Sequence, residues 1–138
     1  MADISITAAN VIAGSNASTA SGTAGVAITA GQVVALDNST TPATVKLADV
    51  NSASAWQRTP VGIALNGAAA GQPVVYQTGG DITIGGTLVA GAAYFASGTA
   101  GGVRPQADNT TGDYPALLGL ATSTSVLRIG LLAPGVAI

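Results

Sequence analysis

The sequence predicts an all-β fold: a compact small barrel or curled β-sandwich, with pseudo-repeated halves and an extended N-terminal arm. Three observations carry that expectation. Short apolar runs bounded by turn residues recur along the chain, at Gln32 to Leu36, Thr44 to Leu47, Val61 to Leu65, Pro73 to Gln77, Asp81 to Ile84, Ala92 to Ala96, Leu117 to Ala121 and Val126 to Leu132. Runs of this length, separated by frequent turn signals, are the pattern of sandwiches and small barrels. No window reads as a long amphipathic helix, because glycine or proline interrupts nearly every dozen residues. Glycine also sits inside two of the apolar runs, at Val61-Gly62-Ile63 and Leu118-Gly119-Leu120. There it marks a bulge or a close backbone approach, which a curled sheet needs.

Taken in order, the chain starts with Ile4 to Thr7, an alternating segment that reads as a first strand. Residues 8–25 are rich in alanine, serine, threonine and glycine, and only Val11 and Ile12 are large enough to anchor them. Such a segment cannot bury enough apolar surface alone, so it reads either as a mobile loop or as an arm ordered by a neighbour. Residues 1–25 are therefore expected to form an arm, and residues 26–138 a single β domain, within which Val26 to Thr29 and Thr87 to Val89 also read as strands. Gly-Gly at 79–80, 85–86 and 101–102, with Asn66-Gly67 and Thr41-Pro42, supply the turns.

An internal echo runs through this pattern. Ala30-Gly31-Gln32-Val33-Val34 resembles Ala70-Gly71-Gln72-Pro73-Val74 and, more loosely, Ala90-Gly91-Ala92-Ala93-Tyr94. A short basic-bearing strand (Val45-Lys46, then Val103-Arg104), an Asp loop and an apolar glycine-bearing strand follow Gly31 and Gly91 in the same order. The repeat is about 60 residues long, too long and too few in copies for a solenoid.

Composition limits the chemistry. The 138 residues include no histidine, cysteine or glutamate, and charged residues make up 7%, four basic and six acidic. Cys/His zinc sites, thiol nucleophiles, Ser-His-Asp triads and disulfides are thereby excluded. A net charge of −2 with scattered cations cannot neutralise a row of phosphates, so nucleic acid is not expected as a partner. The apolar stretch from Tyr114 to Ile138 is broken by Pro115, Arg128 and Pro134 and lacks the ~20 uninterrupted apolar residues of a spanning helix. Met1-Ala2-Asp3 has no positive leader region, so neither a membrane nor export is expected. The polar cluster Asp108 to Tyr114 departs from a calcium loop at its third position, its glycine and its missing closing glutamate, and reads as a turn. The expectation is a non-enzyme with no cofactor and no metal. Its neutral, weakly charged surface suits association.

The candidate contact residues follow from that. Ile4 and Ile6 would add a strand to a neighbour's sheet edge, with Val11 and Ile12 as anchors. Trp56 and Arg58, in the loop-like Ala55-Trp56-Gln57-Arg58, are the residue types most enriched at interface hot spots. A core-capping role for Trp56 is the alternative. Lys46, Arg58, Arg104 and Arg128 read either as solvated surface charges or as register markers across subunit contacts.

The ordered set Ala30-Gly31-Gln32-Val33-Val34-Ala35-Leu36-Asp37, Thr59-Pro60-Val61-Gly62-Ile63-Ala64-Leu65, Ala69-Ala70-Gly71-Gln72-Pro73-Val74-Val75 and Asp113-Tyr114-Pro115-Ala116-Leu117-Leu118-Gly119-Leu120-Ala121 resembles the small decoration (cement) proteins of tailed-phage capsids. The resemblance covers about residues 26–132. It implies a β-tulip-like fold and a structural virion protein, made in the host bacterial cytoplasm, that sits on the capsid exterior. Such a protein stabilises the mature head by bridging subunits of the major capsid protein, and its expected partners are that protein and itself. A trimer is favoured as the homo-oligomer, with a dimer possible. A head-fibre or receptor-binding adhesin module displayed on the virion is the alternative.

Overall fold

The computed structural model describes residues 3–138, and every regular element longer than three residues among them is a strand. The strands are β1 (Ile12–Ala13), β2 (Ser18–Thr23), β3 (Val33–Asp37), β4 (Thr44–Leu47), β5 (Gly62–Ala64), β6 (Pro73–Thr83), β7 (Ala93–Ala96), β8 (Val103–Pro105), β9 (Leu117–Ala121) and β10 (Val126–Leu132). Two single 3-10 turns, Ala8–Asn10 and Gln106–Asp108, are the only helical pieces among the described residues. All strand pairs are antiparallel, and together they form one strongly curled half-barrel sheet. The fold is all-β, as the short runs require.

The strand order β4-β3-β5-β6-β10-β9-β7-β8 reads the same from either end once β3 is matched with β7, β4 with β8, β5 with β9 and β6 with β10. This is the internal echo realised as topology, with β6 and β10 meeting at the middle. Each half opens on an Ala-Gly turn. Gly31, Gly71, Gly91 and Gly101 all have positive φ, and in each case the following residue donates its N–H to the carbonyl two places before the glycine. With no positive φ at any alanine, these are type II turns, which place glycine where φ must be positive. Gln32 and Gln72 strengthen two of them: each side-chain carbonyl accepts the N–H of the first turn residue at 2.9 Å.

Two apolar clusters fill the curl. The larger takes Val33, Ala35, Ile63, Ile82, Ile84, Leu88, Tyr94, Leu118, Leu127 and Ile129, among others, from both halves of the chain. The smaller takes Ala24, Ile28, Val34, Val45, Ala64, Val74 and Tyr76 from the first half alone. Consecutive residues of a strand point to opposite faces, so β3 feeds both clusters (Val33 and Ala35 one way, Val34 the other) and so does β5 (Ile63 and Ala64). Each fully buried Ile or Leu contributes about 1.5–3 kcal/mol of transfer free energy.

The long strand β6 connects the clusters. Its first part lies between β5 and β2, and its second between β10 and β1. Gly79-Gly80 lies within this strand, where the sequence reads as a tight turn between two separate strands. The register of β2 shifts by one residue at this point, between Ser18 and Thr19. The buried Gln77 side chain spans the irregularity, its amide donating to the carbonyls of Gly79 at 3.0 Å and Asp81 at 2.8 Å. The bulge reverses which face points inward, and so hands the strand from the smaller cluster to the larger.

Residues 8–25 are the other departure. The sequence reads them as loop or arm, yet β2 pairs along Pro73–Gly79 and β1 along Ile82–Thr83 of the same chain. The outward pattern of β2 explains how a stretch without large side chains is held: its residues are exposed or half-buried, and main-chain pairing carries it. Ala24, beyond the end of β2, makes a parallel bridge to Val45 that ties the sheet's first edge back to the incoming chain. The expected strands at Ile4 to Thr7 and Thr87 to Val89 do not form, and Val26 to Thr29 contributes a single bridge, Ile28 to Ala68.

Candidate contact surfaces

Three regions hold the residues able to meet a partner, and a fourth feature, the pairing of charges, bears on all of them. In the first, residues 3–14 lie across the larger cluster. Ile4, Ile6 and Val11 are half-buried against it, whereas Ile12 is 62% exposed at the β1 edge. The backbone that would add to a neighbour's sheet is already engaged at several points: the N–H groups of Ile4, Thr7 and Gly14 donate to the carbonyls of Val103, Gly85 and Asp81. The bed beneath is cut to fit, since a Cβ at Gly85 or Gly86 would strike the carbonyls of Thr7 or Ser5. The Asp3 carboxylate accepts the Ser97 hydroxyl at 2.8 Å. Strand donation from this segment thus requires its release from its own domain.

The second region is the loop between β4 and β5. Trp56 is half-buried against the larger cluster, and the Lys46 ammonium lies 5.8 Å from its ring centroid. Arg58 stacks 3.8 Å over the ring of Tyr114 and donates to the Ser52 carbonyl at 3.3 Å. Arg58 therefore braces this loop to the one before β9. Beside Trp56 lies an open groove of about 700 Å³, with Leu36 and Val61 on its apolar part and Asn38, Ser54 and Thr59 supplying polar atoms.

The third region is the outer face of β10, β9 and β7, which the sequence analysis does not single out. Arg128, Gly130 and Leu132 alternate outward on β10. Leu120 lies opposite Arg128, and Ala93 opposite Leu120. Beyond the bulges, Leu117 lies opposite Leu132, and Phe95 opposite Leu117. Leu120 is 53% exposed and Leu132 64%. An antiparallel sheet with one solvated face normally alternates polar residues outward. This face is apolar apart from Arg128 and the Asp81 it pairs with at 2.8 Å. The signal for Leu132 was present in the alternation of Val126 to Leu132. Leu120 lies in a continuous apolar run, which reads as buried on both faces.

The fourth feature is how charge is used. Lys46 pairs with Asp37 at 2.7 Å, Arg104 with Asp113, and Arg128 with Asp81, each within the chain. The Asp37 carboxyl is held down to about 2 by hydrogen bonds from Lys46 and Ser39. At Asp113 burial pushes the pKa up, but hydrogen bonds from Thr110 and Arg104 outweigh it and leave the group below its ordinary value. Asp81 is lowered chiefly by its hydrogen bond from Arg128. Asp49 caps a turn by accepting the Asn51 N–H. The Asp108 to Tyr114 stretch does form a turn, at Thr110 to Asp113, but it also delivers the buried carboxylate, which its polar composition hides.

Among the described residues no group of three or more His, Cys, Asp or Glu is placed to hold a metal, and no helix is long and apolar enough to cross a membrane. The chain matches no family model, no curated protein and no solved structure.

Proposed function

We propose that the protein is a structural virion component: it binds the outer surface of a phage capsid and stabilises the mature head by bridging subunits of the major capsid protein. The observation that carries this reading is the apolar outer face of β10, β9 and β7, with Leu132, Leu117, Phe95 and Leu120 turned away from the core. Internal pairing of three of the four cations supports it, since such a surface has little charge to desolvate on contact. The sequence resemblance supplies the identity of the lattice. In this reading the protein is made in the bacterial cytoplasm, works on the capsid exterior as a homo-oligomer, in the first instance a trimer, and performs no catalysis. A protein that binds the assembled shell but not its separated subunits adds its binding free energy to the assembled state, and repetition over many copies makes modest contacts large.

The test is a variant carrying Leu120→Lys and Leu132→Lys, mixed with undecorated heads and sedimented. Both positions point away from the core, so the circular dichroism spectrum and thermal midpoint should stay near those of the parent. Loss of two buried leucines at about 1.5–3 kcal/mol each predicts a fall in affinity on the order of a hundredfold or more. Undiminished co-sedimentation would remove this face from the contact.

A further inference from the structure

The groove beside Trp56 has a composition that the lattice reading leaves unused. Its apolar part, Leu36, Trp56 and Val61, lies next to polar groups on two loops, Asn38 after β3 and Ser54 before the tryptophan. Both residues are exposed, and neither the Asn38 amide nor the Ser54 hydroxyl engages any other group of the described chain. The Ser39 hydroxyl nearby is already given to Asp37, and the Thr59 hydroxyl to the Ala55 carbonyl. The adjacent charges cancel, since Lys46 and Asp37 pair at 2.7 Å. The groove thus offers one indole, an unspent amide, an unspent hydroxyl and no net charge.

We propose that this groove binds a neutral saccharide of at least two pyranose rings. Such a ligand presents C–H faces to an indole and hydroxyls to an amide, which matches an amphipathic aromatic wall with a few placed polar groups. The Asn38 amide has two donors and an acceptor, enough to take a pair of adjacent hydroxyls, and Ser54 both donates and accepts. A phosphate or sulfate would find no cation among the residues lining the groove, and the Lys46 ammonium beside the indole is paired with Asp37. A monosaccharide would leave much of the groove empty, given its volume of about 700 Å³. The Lys46 ammonium over the indole helps hold the ring in place before any ligand arrives.

Trp56 is the chain's only tryptophan, so its fluorescence reports on this site alone. The protein is titrated with maltose, cellobiose and N,N′-diacetylchitobiose into the millimolar range. At least one should shift the emission saturably, with a millimolar Kd, and Asn38→Ala should weaken that binding about tenfold, the loss of about one charge-free hydrogen bond pair. Asn38 is exposed and unbonded, so its removal leaves the fold intact, and an unchanged thermal midpoint verifies this. No saturable shift with any of the three sugars overturns the proposal, as does binding that Asn38→Ala leaves untouched. Emission that tracks protein concentration instead of sugar assigns the groove to a second copy of the chain and also overturns it. None of these outcomes bears on the apolar sheet face, which the head-binding experiment reads separately.

Discussion

Gly119→Val is expected to be among the most destabilising single substitutions in this chain, with Gly62→Val close behind. A Cβ at Gly119 would run into the backbone carbonyl of Arg128 on β10, and one at Gly62 into the carbonyl of Gln77 on β6. In both places the obstacle is main chain in the next strand, so no side-chain rotation relieves it. The sheet must open or shift register, and overpacking of this kind costs about 3 kcal/mol or more. The two glycines occupy matched strands, β5 and β9, so their penalties should be similar. Gly130→Ala is the control: a Cβ there meets nothing within 4 Å, and the substitution should raise stability by about 0.5 kcal/mol through the unfolded chain. Urea midpoints of the three variants check the ordering. A Gly119 variant as stable as the parent would mean that β9 and β10 do not approach as described.

Asp113→Asn is the second large effect. Arg104 is 7% exposed and Asp113 1%, and the carboxylate also receives the Thr110 N–H at 2.9 Å and hydroxyl at 3.0 Å. Removing the negative charge leaves a guanidinium buried among neutral amides, with Asn109 at 3.0 Å still accepting from it but no anion to balance it. Breaking a buried pair from one side costs about 3–5 kcal/mol. Arg104→Met combined with Asp113→Leu should recover much of that loss, because neither charge is then stranded. The same pair predicts an acid limit. A carboxyl whose folded pKa is depressed contributes stability that is fully present above its unfolded value and is lost as pH falls through the folded value. Asp37, held to about 2, and Asp113, also lowered, act in the same sense. Stability should therefore be level above about pH 5 and fall progressively from about pH 4 toward 2. In the double variant the Asp113 part of that fall should disappear while the Asp37 and Asp81 parts remain, and thermal melts across this range would show it.

The strands that could be read from residues alone are those whose signal is local. β4, β9 and β10 match their apolar runs end to end, because each is bounded by turn residues and carries β-branched or leucine side chains. The Ala-Gly turns were legible for the same reason, since the glycine is what the turn needs. β2 was not: Ser-Thr-Ala-Ser-Gly-Thr holds no large side chain, and its place depends on β6, some 55 residues away. Gly79-Gly80 misled because a pair of glycines serves a bulge inside a long strand as well as a turn between two. At the contact surfaces, Trp56 and Arg58 stood out by residue type. The outer face of Leu120, Leu117 and Phe95 needed the register of three strands. Asn38 and Ser54 needed two loops to come together, and the Arg104–Asp113 pair needed the burial of a stretch that looks solvent-bound.

The mirror-like strand order has a consequence for how the chain could be divided. Severing the Gly85-Gly86 link would leave residues 1–85 with β6 and residues 86–138 with β10, each missing the neighbour that completes its sheet. The larger apolar cluster draws Val33, Ile63 and Ile82 from one fragment and Tyr94, Leu118 and Leu127 from the other, so neither piece would complete that cluster by itself. Mixed together, the fragments carry complementary edges, and the seam where β6 meets β10 is the place at which two separate polypeptides would rejoin into one body.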